Sequence, residues 1–125
     1  VFLMKKRQQE RALQQAEEIT SILDNQNAWI TIVDPETWEL KYLNAKLRDA
    51  VPEAKLGQVC YKTLKGRDTP CEGCPCLRIL EKKNDSAALY NERVDVTTDT
   101  DAALVQWGGK QACMMTSRKR RIDTI

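Results

Sequence analysis

The sequence predicts an α+β fold: a five-stranded antiparallel sheet with short helices on one face and a helix ahead of it. Three observations carry this. The first residues form a long helical pattern without Gly or Pro. Two β-branched and aromatic runs then flank Asp34-Pro35-Glu36-Thr37, the chemistry of a tight turn. After a stretch punctuated by Gly57, Gly66 and Gly73, three more strand-like runs follow, the last two joined across Gly108-Gly109. Strands joined by short turns pair antiparallel, and helices inserted between two groups of strands collect on one face of the sheet.

Residues 3 to 23 are rich in Gln, Glu, Arg, Lys, Ala and Leu, all good helix formers. Leu13, Ala16, Thr20 and Leu23 alternate at spacings of three and four, the start of an a/d seam that Ile19 and Ile22 widen. Such a stripe suits either a coiled coil or an amphipathic helix packed on its own domain. The polar run Asp24-Asn25-Gln26-Asn27 breaks the pattern. Ala28-Trp29-Ile30-Thr31-Ile32-Val33 predicts a strand, and Trp38 to Leu43 alternates as its hairpin partner. Asn44 is suited to cap a short helix, Ala45 to Ala50, which Pro52 ends. Residues 53 to 80 hold short helical pieces. The later strands are expected at Ala87 to Val94, Thr97 to Trp107 and Gln111 to Ser117, the last with Ala112, Met114 and Thr116 on one side. The domain proper is then residues 24–117, preceded by a helix at 1–23 and followed by the start of a linker at 118–125.

Composition narrows the chemistry. The chain has 125 residues, enough for one domain with a real core. It carries five Cys and no His, so Ser-His-Asp and Cys-His catalysis, His-ligated haem and His zinc sites are excluded. A net charge of +2 does not point to nucleic acid as a partner. Arg118 to Arg121 form a basic run, which most simply begins a solvated helix. Asp95, Asp99 and Asp101 read as an exposed strand face with no nucleophile nearby, so no catalytic residue is expected. Val1 to Met4 are too short an apolar run for a signal peptide, though they fit the tail of a membrane span in an anchored parent protein. The clipped termini suggest a piece of a longer protein. An odd, clustered set of Cys suits a cytoplasmic location.

Two segments carry a more specific likeness. Ile32-Val33-Asp34-Pro35-Glu36-Thr37-Trp38-Glu39-Leu40-Lys41-Tyr42-Leu43-Asn44 is one, a hairpin closed by Asn. The other runs from Gly57-Gln58-Val59-Cys60-Tyr61 through Gly66-Arg67-Asp68-Thr69-Pro70 to Cys71-Glu72-Gly73-Cys74-Pro75. Tyr90-Asn91-Glu92-Arg93 and Val105-Gln106-Trp107-Gly108-Gly109-Lys110 add to them. With these, residues 24 to 117 resemble a PAS sensor domain. The likeness is to the Cys-rich subgroup found upstream of GGDEF (diguanylate cyclase) or sensor-kinase modules in bacterial signalling proteins. The resemblance implies a PAS-like sheet and an N-terminal signalling helix. It implies a regulatory, non-catalytic module for sensing and dimerisation that passes a ligand or redox signal to a covalently linked output domain. The expected assembly is a homodimer through the sheet and through Leu13, Ala16, Ile19 and Leu23 of the helix. A small-molecule cavity between sheet and helices is expected to involve Trp29, Ile32, Tyr42, Tyr61, Leu104 and Met114. By residue type, Lys62, Arg67 and Arg93 are candidate contacts for an anionic ligand, with a solvated surface charge as the commoner role of each. The segment Cys60-Tyr61-Lys62-Thr63-Leu64 departs from the Asn-Cys-Arg-Phe-Leu-Gln pattern of flavin-binding PAS domains, which disfavours flavin.

Cys60, Cys71, Cys74 and Cys76 form the most specific motif. The spacing of Cys71 and Cys74 allows two thiolates to face one metal ion, and a third Cys can extend the set. Zinc is the metal that fits such a set, with Cys60, Cys71 and Cys74 favoured over Cys76. A reversible Cys71–Cys74 disulfide is the redox alternative. Packing of these Cys as small hydrophobes, with no cofactor at all, is the third. Haem attached through the Cys pair is disfavoured because Pro75, not His, follows it.

Overall fold

The first hairpin is folded by Asp34. Its Oδ1 accepts from the backbone N–H of Glu36 at 2.8 Å and of Thr37 at 3.3 Å, and its carbonyl accepts from Trp38 N–H at 2.8 Å. Those bonds, led by the one from Glu36, hold the Asp34 carboxyl below its ordinary pKa. Trp38 closes the turn in the left-handed region, at φ 65°. A strand therefore cannot start at Trp38, and pairing begins two residues later at Leu40.

The computed structural model describes residues 2–91 and 95–120. A long helix α1 (Phe2–Asp24) leads into β1 (Trp29–Val33), β2 (Leu40–Leu43) and the short helix α2 (Ala45–Ala50). Helix α3 (Cys60–Lys65), a 3-10 turn (Pro75–Arg78) and α4 (Ile79–Lys82) follow. Three longer strands complete the chain: β3 (Asn84–Asn91), β4 (Val96–Trp107) and β5 (Lys110–Lys119). The strands form one antiparallel sheet in the order β2-β1-β5-β4-β3. The expected fold class is thus observed. β3 begins three residues earlier than its composition suggested, because Lys83 in the left-handed region ends α4 and aims the chain directly into the sheet. Glu92 to Val94, at the end of the expected strand, lie outside the described residues, as do 121–125 of the linker. Among the described residues, no helix is long and apolar enough to cross a membrane.

The sheet is apolar on both faces. On the helix-covered face, Val33, Leu40, Leu43, Ala102, Cys113 and Met115 pack with Leu47, Cys74, Cys76 and Ile79 from the helical segment. On the other face, Ile32, Tyr42 and Ala112 form a smaller cluster with Met114, Val105, Trp107 and Leu23. Each large side chain so buried contributes about 1.5–3 kcal/mol.

α1 is held differently. None of its residues is buried, and Leu13, Ile19 and Ile22 are 61%, 49% and 62% exposed. Its last turn is tied down by Asn44, which is fully buried. Asn44 Oδ1 accepts from Ile30 N–H at 3.0 Å and from Leu47 N–H at 3.2 Å. Its Nδ2 donates to the carbonyls of Leu23 at 3.0 Å and Ala28 at 2.8 Å. The amide's hydrogen-bonding capacity is fully used. Asp24 completes the joint. It accepts from the Tyr42 hydroxyl, from Ala45 N–H at 3.0 Å and from Arg48 Nη2 at 3.3 Å. Burial raises the Asp24 pKa, but the Tyr42, Arg48 and Ala45 bonds outweigh it and hold the carboxyl below its usual value. Burial first, and then the bond to Asp24, push the Tyr42 hydroxyl up to about 12.

Asn44→Ala removes the side-chain bonds of the Ile30 and Leu47 amides and of the Leu23 and Ala28 carbonyls, of which Leu23 keeps its bond from Gln26 N–H, so it should cost about 3 kcal/mol in urea unfolding. A loss under about 1 kcal/mol would show that the joint contributes little. The Asp24 carboxyl has a folded pKa below its unfolded one, so its stabilisation is present above about pH 4 and fades as pH falls through the folded value. The stability gap between the parent chain and Asp24→Asn should therefore hold steady above about pH 5 and shrink as pH falls below about 4. A gap independent of pH would contradict this.

Candidate functional site

A cavity of about 530 Å³ lies between the sheet and α2, α3 and the Cys71–Cys74 loop. Its floor is built by strand alternation. Thr31 of β1 pairs with Met115 of β5, and Trp29 with Ser117, so all four side chains reach the same face. Thr98 and Thr100 of β4 and Leu89 of β3 extend the floor. Its walls are Leu47 and Val51 near α2, Cys60 and Leu64 of α3, and Cys71 and Cys74 of the loop. The lining is largely apolar, with a band of hydroxyls across the floor. Thr100 Oγ1 lies 3.2 Å from Thr98 Oγ1 and 2.8 Å from Ser117 Oγ, so these hydroxyls bond chiefly to one another. The Lys46 ammonium sits 5.2 Å from the centre of the Trp29 ring, a cation–π contact that fixes the indole at the cavity edge.

Of the residues expected to line a cavity, Trp29 lies on this one. Leu104 packs against the core on the same face but away from the lining. Tyr61 is also away from the lining and meets Trp38 edge-on, with ring centres 5.9 Å apart. Ile32, Tyr42 and Met114 lie on the opposite face of the sheet, where Tyr42 stacks at a tilt 5.4 Å from Trp107. A shift of one residue along a strand changes the face, and Ile32 and Met114 are the in-register neighbours of Thr31 and Met115. The hydroxyl band was not anticipated. Alternation from Trp29 would have found Thr31, but the floor hydroxyls of β4 and β5 needed the pairing register. Of the candidate anion contacts, Lys62 is exposed, Arg67 is half-buried, and Arg93 lies outside the described residues.

Cys60, Cys71 and Cys74 all line the cavity. Gly73, at φ 71°, turns the loop so that Cys74 N–H reaches the Cys71 carbonyl at 3.1 Å. Cys76 points elsewhere: it is buried and shares a hydrogen bond with the Cys113 thiol. That bond, and then burial, raise its pKa strongly. All five Cys are free thiols. Burial pushes Cys60 up to about 12 and Cys74 up to about 11, with neighbouring Cys adding to the effect and Lys65 partly offsetting it. Among the described residues, no group of three or more His, Cys, Asp or Glu side chains is arranged to hold a metal ion.

No protein-family model and no curated protein matches this sequence. Solved structures do match in shape. The PAS domain of nitrogen regulation protein NR(II) from Vibrio parahaemolyticus aligns with a TM-score of 0.65 at 12% identity, covering 81% of this chain and 96% of that one. The PAS domain of an HTR-like protein from Haloarcula marismortui aligns with a TM-score of 0.56 at 10% identity, covering 92% and 99%. A PAS domain from Desulfitobacterium hafniense aligns at 0.53 and 15% identity, covering 80% and 99%. These likenesses establish the fold: the chain has the PAS architecture.

The raised thiols make a direct prediction, because the thiolate is the reactive form. In the folded protein at about pH 8, Cys60 and Cys74 should react with a disulfide reagent at least tenfold more slowly than after denaturation. Peptide mapping of the labelled sites checks this. Rapid labelling of Cys74 in the folded state would show an activated thiol instead.

Proposed function

We propose that this chain is the regulatory sensor and dimerisation module of a bacterial signal-transduction protein, passing a ligand signal to a C-terminal output domain such as a diguanylate cyclase or kinase. The fragment itself carries no enzyme activity in this reading, and works in the cytoplasm. The observation that carries the reading is the double duty of the segment around α2. Leu47 and Val51 form a wall of the cavity, while Asn44, Ala45 and Arg48 hold the last turn of α1. An occupant that shifts this wall acts directly on the seat of α1.

α1 supports the dimer. Leu13, Ala16 and Ile19 are exposed along it, and Leu23 alone of the seam reaches the sheet's outer cluster. A helix of 23 residues with nothing buried gains most of its stability by packing against a partner. The apolar outer face of the sheet, with Trp107 and Met114 at its surface, continues that stripe. The ligand biases two packings of the paired helices by its differential affinity for them.

A second reading is a thiol-redox or zinc sensor acting through Cys60, Cys71, Cys74 and Cys76. It is favoured by the first three facing one cavity. Oxidation or metal binding there would draw the loop toward α3 and reach α1 through the same wall.

Sedimentation and hydrogen exchange together test the main reading. The chain should be dimeric, and Leu13→Glu with Ile19→Glu should dissociate it while leaving the sheet's circular dichroism intact. Val51→Trp, which fills the cavity from its α2 side, should change exchange protection in the last turns of α1. A monomeric parent chain sinks the dimer, and unchanged α1 protection in a folded Val51→Trp sinks the coupling.

A further inference from the structure

The cavity's lining is informative about what would fill it. Its floor and walls offer apolar surface from Trp29, Leu47, Val51, Leu64, Leu89 and Met115. The floor hydroxyls of Thr98, Thr100 and Ser117 are committed mainly to each other, so they call for no strongly polar ligand group at depth. Such a surface rejects a second charge, because a buried, unpaired charge is costly.

The charges on the lining are unbalanced. Lys65 and Lys119 both border the cavity, and neither has an ion-pair partner among the described residues. Glu53 is the acidic group on the lining, and it is already engaged in an interaction of its own. Lys65 is half-buried and lines the cavity together with Cys60 and Leu64 of the same helix and Cys74 of the loop. Those thiols are protonated at neutral pH and so do not neutralise it.

We propose that the cavity binds an apolar monocarboxylate, its hydrocarbon or aryl body between α2, α3 and the sheet and its carboxylate on Lys65, with Lys119 adding charge at the rim. This rests on the reading of the cavity as the sensor's ligand site and names the class of ligand. A cavity of about 530 Å³ falls within the usual range for small-molecule sites, large enough for a body of roughly ten carbons with a head group. A partly buried ammonium–carboxylate bond is charge-assisted and about twice as strong as a neutral one. It would orient the molecule with its apolar end toward the α2 wall.

Binding of decanoate, 1-decanol and succinate tests this, read by tryptophan fluorescence and by calorimetry. Decanoate should bind about tenfold more tightly than 1-decanol, and succinate should not bind. Lys65→Gln should remove most of that preference while leaving 1-decanol binding unchanged, and Lys65→Arg should retain it. Equal binding of decanoate and 1-decanol overturns the head-group assignment but leaves the cavity as a ligand site. Tighter binding of succinate overturns the apolar body. If none of the three binds to protein whose fold is verified by circular dichroism, the ligand class is wrong. The response of α1 to Val51→Trp then decides separately whether the cavity is a sensor site.

Discussion

The joint at Asn44 is the constraint on which the rest depends. One buried amide satisfies backbone groups at the end of α1, at the start of β1 and in the first turn of α2. Asp24, bonded to Ala45 and Arg48, and Lys46, over the Trp29 ring, add links among the same elements. Without that amide, α1 would keep only the Asp24 contacts and the packing of Leu23. A buried polar group of this kind specifies geometry more than it adds stability, because each of its bonds replaces one to water. Its directionality fixes where α1 leaves the domain.

Much of this was legible in the sequence, and what was not has physical causes. α1 and α2 were legible because long or capped helical patterns leave few alternatives; Asn44 indeed caps α2, its side-chain oxygen accepting from Leu47 N–H. The turns were legible through Asp34-Pro35 and Gly108-Gly109. The start of β2 was not, because it depends on Trp38 adopting a conformation with positive φ, which side-chain type does not announce. The cavity was least legible. Both faces of the sheet are apolar, so hydrophobic character could not say which of Ile32 and Thr31 faces the helices. The register between β1 and β5 decides that, and register is a long-range property.

The Cys cluster divides along the same lines. Spacing alone grouped Cys60, Cys71, Cys74 and Cys76. The fold leaves the first three on the cavity and turns Cys76 into the core, against Cys113. A residue two positions after Cys74 emerges from the 3-10 turn on its inner side, and it finds a thiol from β5 there. Among the cavity thiols, Cys60 and Cys74 sit in an environment that holds them neutral. A neutral thiol behaves as a small, polarisable hydrophobe, which is how Cys74 meets the Met115 sulfur at 4.0 Å. The same atoms that suggest a redox device from their spacing thus act as apolar walls in this conformation.

The cost of moving the α2 segment sets what a ligand has to supply. Asn44 and Asp24 make directional bonds with narrow tolerances, so a displaced wall cannot drag α1 a little way at constant energy. It either carries the joint along intact or breaks part of it. Carrying it intact would have to carry β1 and β2 as well, because Asn44 also bonds Ile30 and Ala28, Asp24 bonds Tyr42, and Leu47 packs in the core. Breaking it leaves buried groups unpaired, at about 1–3 kcal/mol each. Both routes are costly, so the joint resists displacement of α1 and α2 relative to the sheet. In the proposed sensor, a ligand with a tenfold preference for one packing, worth about 1.4 kcal/mol, would shift the populations by that factor, and the joint limits how far α1 can respond.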